Sequence, residues 1–389
     1  MTQRPGRIVH VISGLSTGGA EGMLARLIAA LQRSGTAHEV VSLTTVGPVG
    51  AKLRAAGVEV AGLEMRSGVP DPRGLTRLVR LLRERRPALV QTWMYHADLL
   101  GGIAARLSGN IPVIWGVRQS DVGAEKPLLK FLARVTNPLL SRWLPDAIVC
   151  CGERARDVHV SFGFAPEKCT VIPNGFDLAR FKPDPRAGAA LRKELGIPEG
   201  APLVGMVARL HPMKDHGNFM HAAAAVAREL PSAVFLLCGD GLAPGARPLQ
   251  RWMREAGLAP DSVRPIGRRD DMEKVYPALT VAVSSSKSGE GFSNVLGEAM
   301  ACGVPCVATD VGDSALIVGE TGRIVPPRDP SALARAVLEF LRIPASERAA
   351  AGLSARHRIE TRYSLATIAA RYEALYAQVL GRRSGEGRA

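Results

Sequence analysis

No apolar run in this sequence approaches the roughly 20 residues that a membrane-spanning helix needs, so the chain is not expected to thread a bilayer. The stretch after Met1–Arg7 offers only five apolar-type residues before Ser13, too short for a signal-peptide core, and the protein is expected in the cytoplasm. The six cysteines, at 150, 151, 169, 238, 302 and 306, form no C-x-x-C pair. They lie mostly in apolar contexts and read as buried reduced thiols, neither disulfides nor zinc ligands. No helix-turn-helix, zinc finger or aromatic RNA-binding strand accompanies the basic charge, which argues against nucleic acid as the partner.

What is present is bulk, charge and a repeated grammar. A chain of 389 residues is long for one domain and suggests two, each burying its own core. The formal net charge is +14, and residues 1–180 hold 23 basic against 14 acidic side chains. Diphosphate substrates and an anionic membrane surface are the better partners for such a surplus.

The first half opens with an apolar strand from Arg7 to Ser13, then the glycine loop Gly14–Glu21, then an apolar-periodic helix through Leu31. That order starts a doubly wound α/β domain. Further strands fit Glu39–Leu43, Val58–Leu63, Leu89–Thr92, Val113–Gly116 and Ala147–Cys151. The second half restarts with Leu203–Ala208, then Ala233–Cys238, Val263–Ile266, Val281–Ser284 and Pro305–Ala308, with helices between. Alternation of this kind predicts parallel sheets with right-handed crossovers. We therefore expect a domain over 1–180, a second over 181–364 with a linker near 181–199, and a terminal amphipathic helix and tail over 365–389.

The most informative stretch is Ser288-Gly-Glu-Gly-Phe-Ser-Asn-Val-Leu-Gly-Glu298, which sets Glu290 and Glu298 eight positions apart across a glycine turn and a helix start. A helix beginning there leaves N–H groups of Phe292, Ser293, Asn294 and Val295 free to meet an anion. Carboxylates would repel a phosphate, so the two acids suit hydroxyls. A nucleotide diphosphate sugar has phosphates in the middle and hydroxyl-rich rings on both sides.

The run from Glu290 to Asp310 resembles the E-x7-E donor-binding signature of retaining glycosyltransferases of family 4, and the likeness extends over nearly the whole chain. It implies the GT-B fold: two doubly wound Rossmann-like domains, α/β in class, facing a central cleft. It implies that Glu298 bonds the ribose hydroxyls, that Glu290 faces the donor sugar, and that residues 292–295 supply backbone donors to the phosphates. Val207-Ala-Arg-Leu-His-Pro-Met-Lys-Asp215 resembles the segment whose Arg209 and Lys214 grip the diphosphate. Charge builds on the leaving nucleoside diphosphate, and cations placed there lower the barrier. Gly18-Gly19-Ala20-Glu21 resembles the family's first glycine loop, where backbone approaches a diphosphate. Gly239 and Asp240, in Phe235–Gly241, and Gly267, in Arg264–Gly267, match elements near the nucleotide, and Val171–Asp177 matches the segment closing the first domain. No D-x-D stands in a suitable loop, and Asp310-Val-Gly-Asp313 has the wrong spacing, so no metal or other cofactor is implied.

The chain departs from the pattern where relatives often carry a histidine near the anomeric carbon. Arg118 and Gln119 stand at that turn, and His96 is the nearest histidine in sequence to such a site. Two readings of His96 are open, a direct catalytic role and a capping or core role. Arg118 leaves open a catalytically inactive sugar-nucleotide binder, and a nucleotide-sugar epimerase of the same fold is the rival enzyme. The segment Lys126–Trp143 sets Leu128, Leu132, Val135 and Leu139 at helical spacing with Lys126, Lys130 and Arg134 on another face. It reads equally as a basic amphipathic helix for an anionic membrane and as a helix packing its apolar face inward. The resemblance implies a metal-independent, retaining transfer by stepwise front-face displacement. The donor is expected to be UDP-linked sooner than GDP-linked, and the acceptor a growing glycolipid or lipid-linked lipopolysaccharide or exopolysaccharide.

Overall fold

The structure, a computed structural model, describes residues 6–16, 18–66, 71–120 and 131–386. The chain forms two units, Met1–Gly175 with Leu365–Ala389, and Phe176–Ser364.

The first unit holds seven parallel strands: β1 Ile8–Ile12, β2 His38–Ser42, β3 Glu59–Gly62, β4 Leu89–Trp93, β5 Val113–Val117, β6 Ala147–Cys150 and β7 Cys169–Val171. Their order is β3-β2-β1-β4-β5-β6-β7. β1 therefore pairs on one side with β2 (Ile8 opposite His38) and on the other with β4 (Ile8 opposite Leu89). Its residues are all buried, as a strand covered by helices on both faces must be. The helix Gly19–Leu31 buries Met23, Leu24, Leu27, Ile28 and Leu31, the three-to-four spacing of one helical face. The terminal helix Leu365–Glu386 contributes Ile368, Tyr372, Leu375, Tyr376 and Val379 to the same buried cluster as Ile8, Leu24 and Trp93. Tyr372 stacks on Trp93 with centroids 6.5 Å apart.

The second unit holds β8 Leu203–Val207, β9 Val234–Cys238, β10 Val263–Pro265, β11 Val281–Ser284, β12 Cys306–Thr309 and β13 Arg323–Val325. They are again parallel, in the order β10-β9-β8-β11-β12-β13. Each sheet thus reverses its winding at one place, between β1 and β4 and between β8 and β11. In open α/β sheets the crevice beyond the strand ends at that reversal is where ligands bind.

Three expectations change. Residues 181–199, read as a linker, contain the helix Pro185–Glu194, started by Pro185 at its first position and by Asp184, whose carboxylate accepts from the Ala187 N–H at 2.9 Å. β7 and β13 were not anticipated as strands. In the segment 126–143, Lys126, Leu128 and Lys130 lie outside the described residues. Leu132 is buried, but Val135 and Leu139 are exposed, so the apolar positions do not pack inward as one face. A π turn over Leu132–Thr136 shifts the phase that ordinary helical spacing assumes. The six cysteines are free thiols, all buried except Cys169, which is half-buried. Among the described residues no helix is long and apolar enough to cross a membrane.

Candidate functional site

In the second unit the loops after β8 and β11, on either side of the winding reversal, are stitched together. Pro212–Lys214 form a 3-10 turn in which His211 Nδ1 accepts from the Met213 N–H at 3.3 Å. The Ser285 hydroxyl reaches the carbonyls of Lys214 at 3.0 Å and Asp215 at 3.2 Å, and the Lys287 N–H donates to the Met213 carbonyl at 2.8 Å. This lattice sets the Lys214 ammonium against Glu290 Oε1. Ser286 donates its hydroxyl to the same oxygen at 2.6 Å, and the Ser286 carbonyl accepts from Thr309 Oγ1 at 2.6 Å.

Burial pushes the Glu290 carboxyl upward, but Lys214, the Ser286 hydroxyl and the field of Arg209 outweigh it and hold the group below its ordinary value. Glu290 is therefore an anion at neutral pH. Arg209 is exposed and makes no salt bridge among the described residues, which leaves its guanidinium available to an anionic ligand. The backbone behind Glu290 is just as constrained. Gly312 has φ +61°, and a Cβ on it would lie 2.1 Å from the Glu290 carbonyl oxygen.

The helix Asn294–Ala301 follows directly. Ser293, at its N-cap, is buried, and Phe292 stacks on Phe176 at 6.1 Å and meets Tyr363 edge-on at 5.4 Å. These rings fix where the helix starts, and with it the direction in which the N–H groups of Asn294 and Val295 point. One turn on, the half-buried Glu298 accepts a hydrogen bond from the Tyr276 hydroxyl at 2.9 Å. From β9, Gly239 passes so close to the β8 end that a Cβ would sit 2.0 Å from the Ala208 carbonyl oxygen. Its N–H donates to the Gly267 carbonyl at 2.8 Å, while the Asp240 carbonyl accepts from Leu210 at 2.7 Å. Arg209, Lys214, Gly239, Asp240, Gly267, Glu290, residues 292–295 and Glu298 therefore belong to one connected set of loops at the strand ends of one sheet.

In the first unit, Gly18 caps the helix that Gly19 begins, and Ser16 Oγ donates to Glu21 Oε1 at 3.4 Å over its first turn. At the end of β4, Met94 has φ 74° and ψ 157°, a conformation that costs a non-glycine residue about 1–3 kcal/mol. Such strain is concentrated at functional turns. Two residues on, His96 keeps a buried Nε2 without a hydrogen-bond partner among the described residues. Burial lowers its pKa, which keeps the ring neutral at pH 7. Asp98 is wholly buried, with its Oδ1 accepting from Thr92 Oγ1 at 2.6 Å and from the Gly116 N–H at 3.1 Å.

Arg118 is not free to act as a lone cation at the end of β5. Its guanidinium donates to Asn174 Oδ1 at 2.6 Å and to the Tyr372 hydroxyl at 3.3 Å, and lies over Trp93, 4.6 Å from the ring centroid. It ties three chain segments of its unit together. Sequence reasoning did not single out Tyr276, Ser286 or Met94. Tyr276 lies in a short helix, Met272–Ala278, outside every motif read from the sequence, and Met94 is conspicuous only through its backbone angles.

Comparison with known proteins matches this picture over both halves. Residues 17–180 fit the model of Glycosyltransferase Family 4, and residues 201–342 fit that of Glycosyl transferases group 1. The UDP-Gal:alpha-D-GlcNAc-diphosphoundecaprenol alpha-1,3-galactosyltransferase of Escherichia coli is 29% identical over 264 residues, which span 65% of either chain, just short of two thirds. The lipopolysaccharide core biosynthesis mannosyltransferase LpcC of Rhizobium leguminosarum is 30% identical over 288 residues, 69% of this chain and 79% of that one. HepE of Anabaena, solved in complex with UDP, shares the fold with a TM-score of 0.82 at 22% identity, covering 96% of this chain and 100% of its own. On these matches and on its two doubly wound sheets, the chain belongs to glycosyltransferase family 4, the group 1 glycosyl transferases of GT-B fold.

Proposed function

We propose that the protein is a retaining glycosyltransferase that moves a sugar from a nucleotide diphosphate donor, UDP-linked, to a lipid-linked or polysaccharide acceptor in cell-envelope glycan synthesis. The observation that carries this reading is the grouping of Lys214, Glu290 and the available Arg209 beside a helix N-terminus, at the reversal of a doubly wound sheet. A diphosphate needs cations and N–H donors, and the sugar and ribose need carboxylate acceptors; this set supplies both. UDP in the HepE crystal and a UDP-galactose donor with a diphosphoundecaprenol-linked acceptor in the E. coli relative support the choice of donor and acceptor.

In the reaction we propose, the bond between the anomeric carbon and the phosphate oxygen breaks, its electron pair going to the departing diphosphate. The acceptor hydroxyl attacks from the same face and its proton passes to the departing phosphate oxygen, so configuration is kept. Arg209, Lys214 and the helix end at Asn294 take up the growing charge, so no metal is called for in this scheme. Glu298 holds the ribose hydroxyls, and Glu290 the sugar hydroxyls. To the first unit, taken by itself, we assign the Gly18-Gly19 backbone, suited to an anion, and His96, whose unpartnered ring nitrogen suits a hydroxyl. Arg118 acts through Asn174 and Tyr372. A lipid-linked acceptor would be met at the inner face of an anionic membrane, where the protein would sit peripherally.

The test is direct. UDP at about 100 times its Kd should stabilise the protein by about 2.7 kcal/mol in a thermal-shift screen. UDP-sugars should then label a lipid-linked acceptor with retention of the anomer, as read by NMR. Release of an epimerised free nucleotide sugar, or labelling that survives loss of both Arg209 and Lys214, would overturn the reading.

A further inference from the structure

We infer that Tyr95 and His159 of the first unit form a positioning pair that aims the His96 ring at its substrate hydroxyl. The inference rests on the role given to His96 above and adds the two residues that set its direction.

The pairing can be read proton by proton. His159 Nδ1 lies 2.7 Å from the Ala155 carbonyl, one turn back in the helix Glu153–Ser161. A carbonyl only accepts, so Nδ1 carries the ring proton and Nε2 is left as an acceptor. The Tyr95 hydroxyl, 2.6 Å from Nε2, is therefore the donor. Burial brings the His159 pKa down to about 4, so the ring is neutral and the bond intact at pH 7. Phe164 meets the imidazole edge-on at 5.0 Å, and its N–H donates to the His159 carbonyl at 3.1 Å. His159 is thus held by its backbone, its ring and both ring nitrogens.

Packing alone does not call for this pair. Tyr95 is buried beside Leu132, Leu99, Val158 and Phe162, where a phenylalanine would fill the same space with no polar group to satisfy. What the hydroxyl adds is direction. Tyr95 opens the helix Tyr95–Leu107, directly after the strained Met94. A backbone in that conformation persists only where its surroundings over-determine it. On the strand side the Met94 N–H donates to the Gly116 carbonyl at 2.9 Å. On the helix side the constraints fall on Tyr95, through its hydroxyl on His159 and its carbonyl, which accepts from Asn137 Nδ2 at 3.2 Å. Asp98 closes the turn. Its N–H donates to the Met94 carbonyl at 2.9 Å, and its carboxyl is held by Thr92 and Gly116.

His96 stands between these two anchors. Consecutive helical side chains point about 100° apart, so fixing Tyr95 and Asp98 fixes where His96 points. It is the one residue from Tyr95 to Asp98 that is not buried, and its Nε2 has no partner among the described residues. A ring nitrogen with no bond of its own takes its aim from the residues on either side.

A double-mutant cycle tests this, with UDP-galactose and UDP-glucose as probes and UDP release as the rate. Tyr95→Phe keeps the ring and removes the hydroxyl. It should lower kcat by about tenfold, with KM for the donor and the UDP-induced thermal shift near wild type. His159→Gln should do the same, and the two substitutions together should cost no more than either. In a His96→Ala background Tyr95→Phe should have no further effect, since changes that act through one group do not add. The NMR resonances of the His96 ring should also shift in Tyr95→Phe with no ligand present. Wild-type kcat in Tyr95→Phe, an equal loss with and without His96, or unmoved His96 resonances would each overturn the proposal. Wild-type kcat in His96→Ala would overturn the role of His96, and the positioning pair with it. If wild type turns over neither probe, the donor reading fails, and the ligand-free resonances still decide the pair.

Discussion

The Tyr276 hydroxyl donates to Glu298 Oε2 at 2.9 Å, across 22 residues of sequence, with the tyrosine ring fully buried and edge-on to Phe181 at 6.0 Å. Burial, and then the Glu298 carboxylate, keeps the phenol pKa well above its ordinary value, so it remains a donor at any physiological pH. Tyr276 therefore fixes, from within the core, the carboxylate that we assign to the ribose. Replacing it with Phe should weaken UDP binding by about 1–2 kcal/mol, roughly tenfold in Kd. Turnover at saturating donor should change little. Calorimetric titration with UDP, beside kcat and KM, separates this from general destabilisation, which would lower Tm and leave Kd alone.

The two cations of the second unit should behave differently from Glu298. Lys214→Ala and Arg209→Ala are each expected to lower kcat by about a hundredfold, with a smaller loss of UDP affinity, because the charge they meet grows as the bond breaks. Steady-state kinetics on both single variants and the double variant decide this. Wild-type turnover in the double variant would remove them from the mechanism.

Glu298→Gln should raise the Kd for UDP by about 1–3 kcal/mol, since an amide is a weaker acceptor than a carboxylate. Glu290→Gln should leave UDP affinity nearer to wild type and lower the rate of sugar transfer. Identical Kd and kcat in the two variants would mean that the two acids do not divide the donor as assigned.

Gly312→Ala should destabilise the second unit by about 1–3 kcal/mol, from a left-handed backbone and from the clash with the Glu290 carbonyl. Because the clash falls on Glu290, transfer should fall further than the Tm loss accounts for. Differential scanning calorimetry and kcat on the same preparation check both parts.

The pH dependence of stability should carry the mark of Asp98. Burial lifts its carboxyl from 3.8 to about 7, against the pull of Thr92, the Gly116 N–H and Arg118. A raised folded-state pKa gives stability that is whole below the unfolded value and is lost as pH climbs through the folded one. The loss thus falls between about pH 4 and pH 7 and amounts to at most about 4 kcal/mol. Asp98→Asn keeps an oxygen for Thr92 and Gly116 and cannot ionise, so its Tm relative to wild type should rise across that interval. A constant difference in Tm would contradict the assignment.

The second unit was the more legible in sequence because its chemistry is local. Glu290, residues 292–295 and Glu298 follow one another, and Arg209 and Lys214 share a single turn. What sequence could not reveal depends on distant pairing: the Lys214 ammonium set against Glu290, or the Asn174 and Tyr372 partners that occupy Arg118. β7 and β13 are three residues each, too short for a period of two to be heard. The segment after residue 131 was misphased because ordinary helical spacing cannot anticipate a π turn. The helix in the expected linker shows the reverse, a proline cluster that begins a helix instead of interrupting one.

The terminal helix Leu365–Glu386 lies in the core of the unit that opens the chain, with the entire second unit encoded in between. On the ribosome, then, the order of emergence and the order of completion differ. The first sheet leaves the exit tunnel early but waits, with the space for Tyr372 and Tyr376 unfilled, until the second unit has been made. The second unit is continuous in sequence and can close as soon as it emerges. A chain released at Ser364 should therefore give a protease-resistant fragment from Phe176 onward and a first unit open to digestion. A resistant first unit in that truncated chain would show that the sheet needs no late-arriving helix.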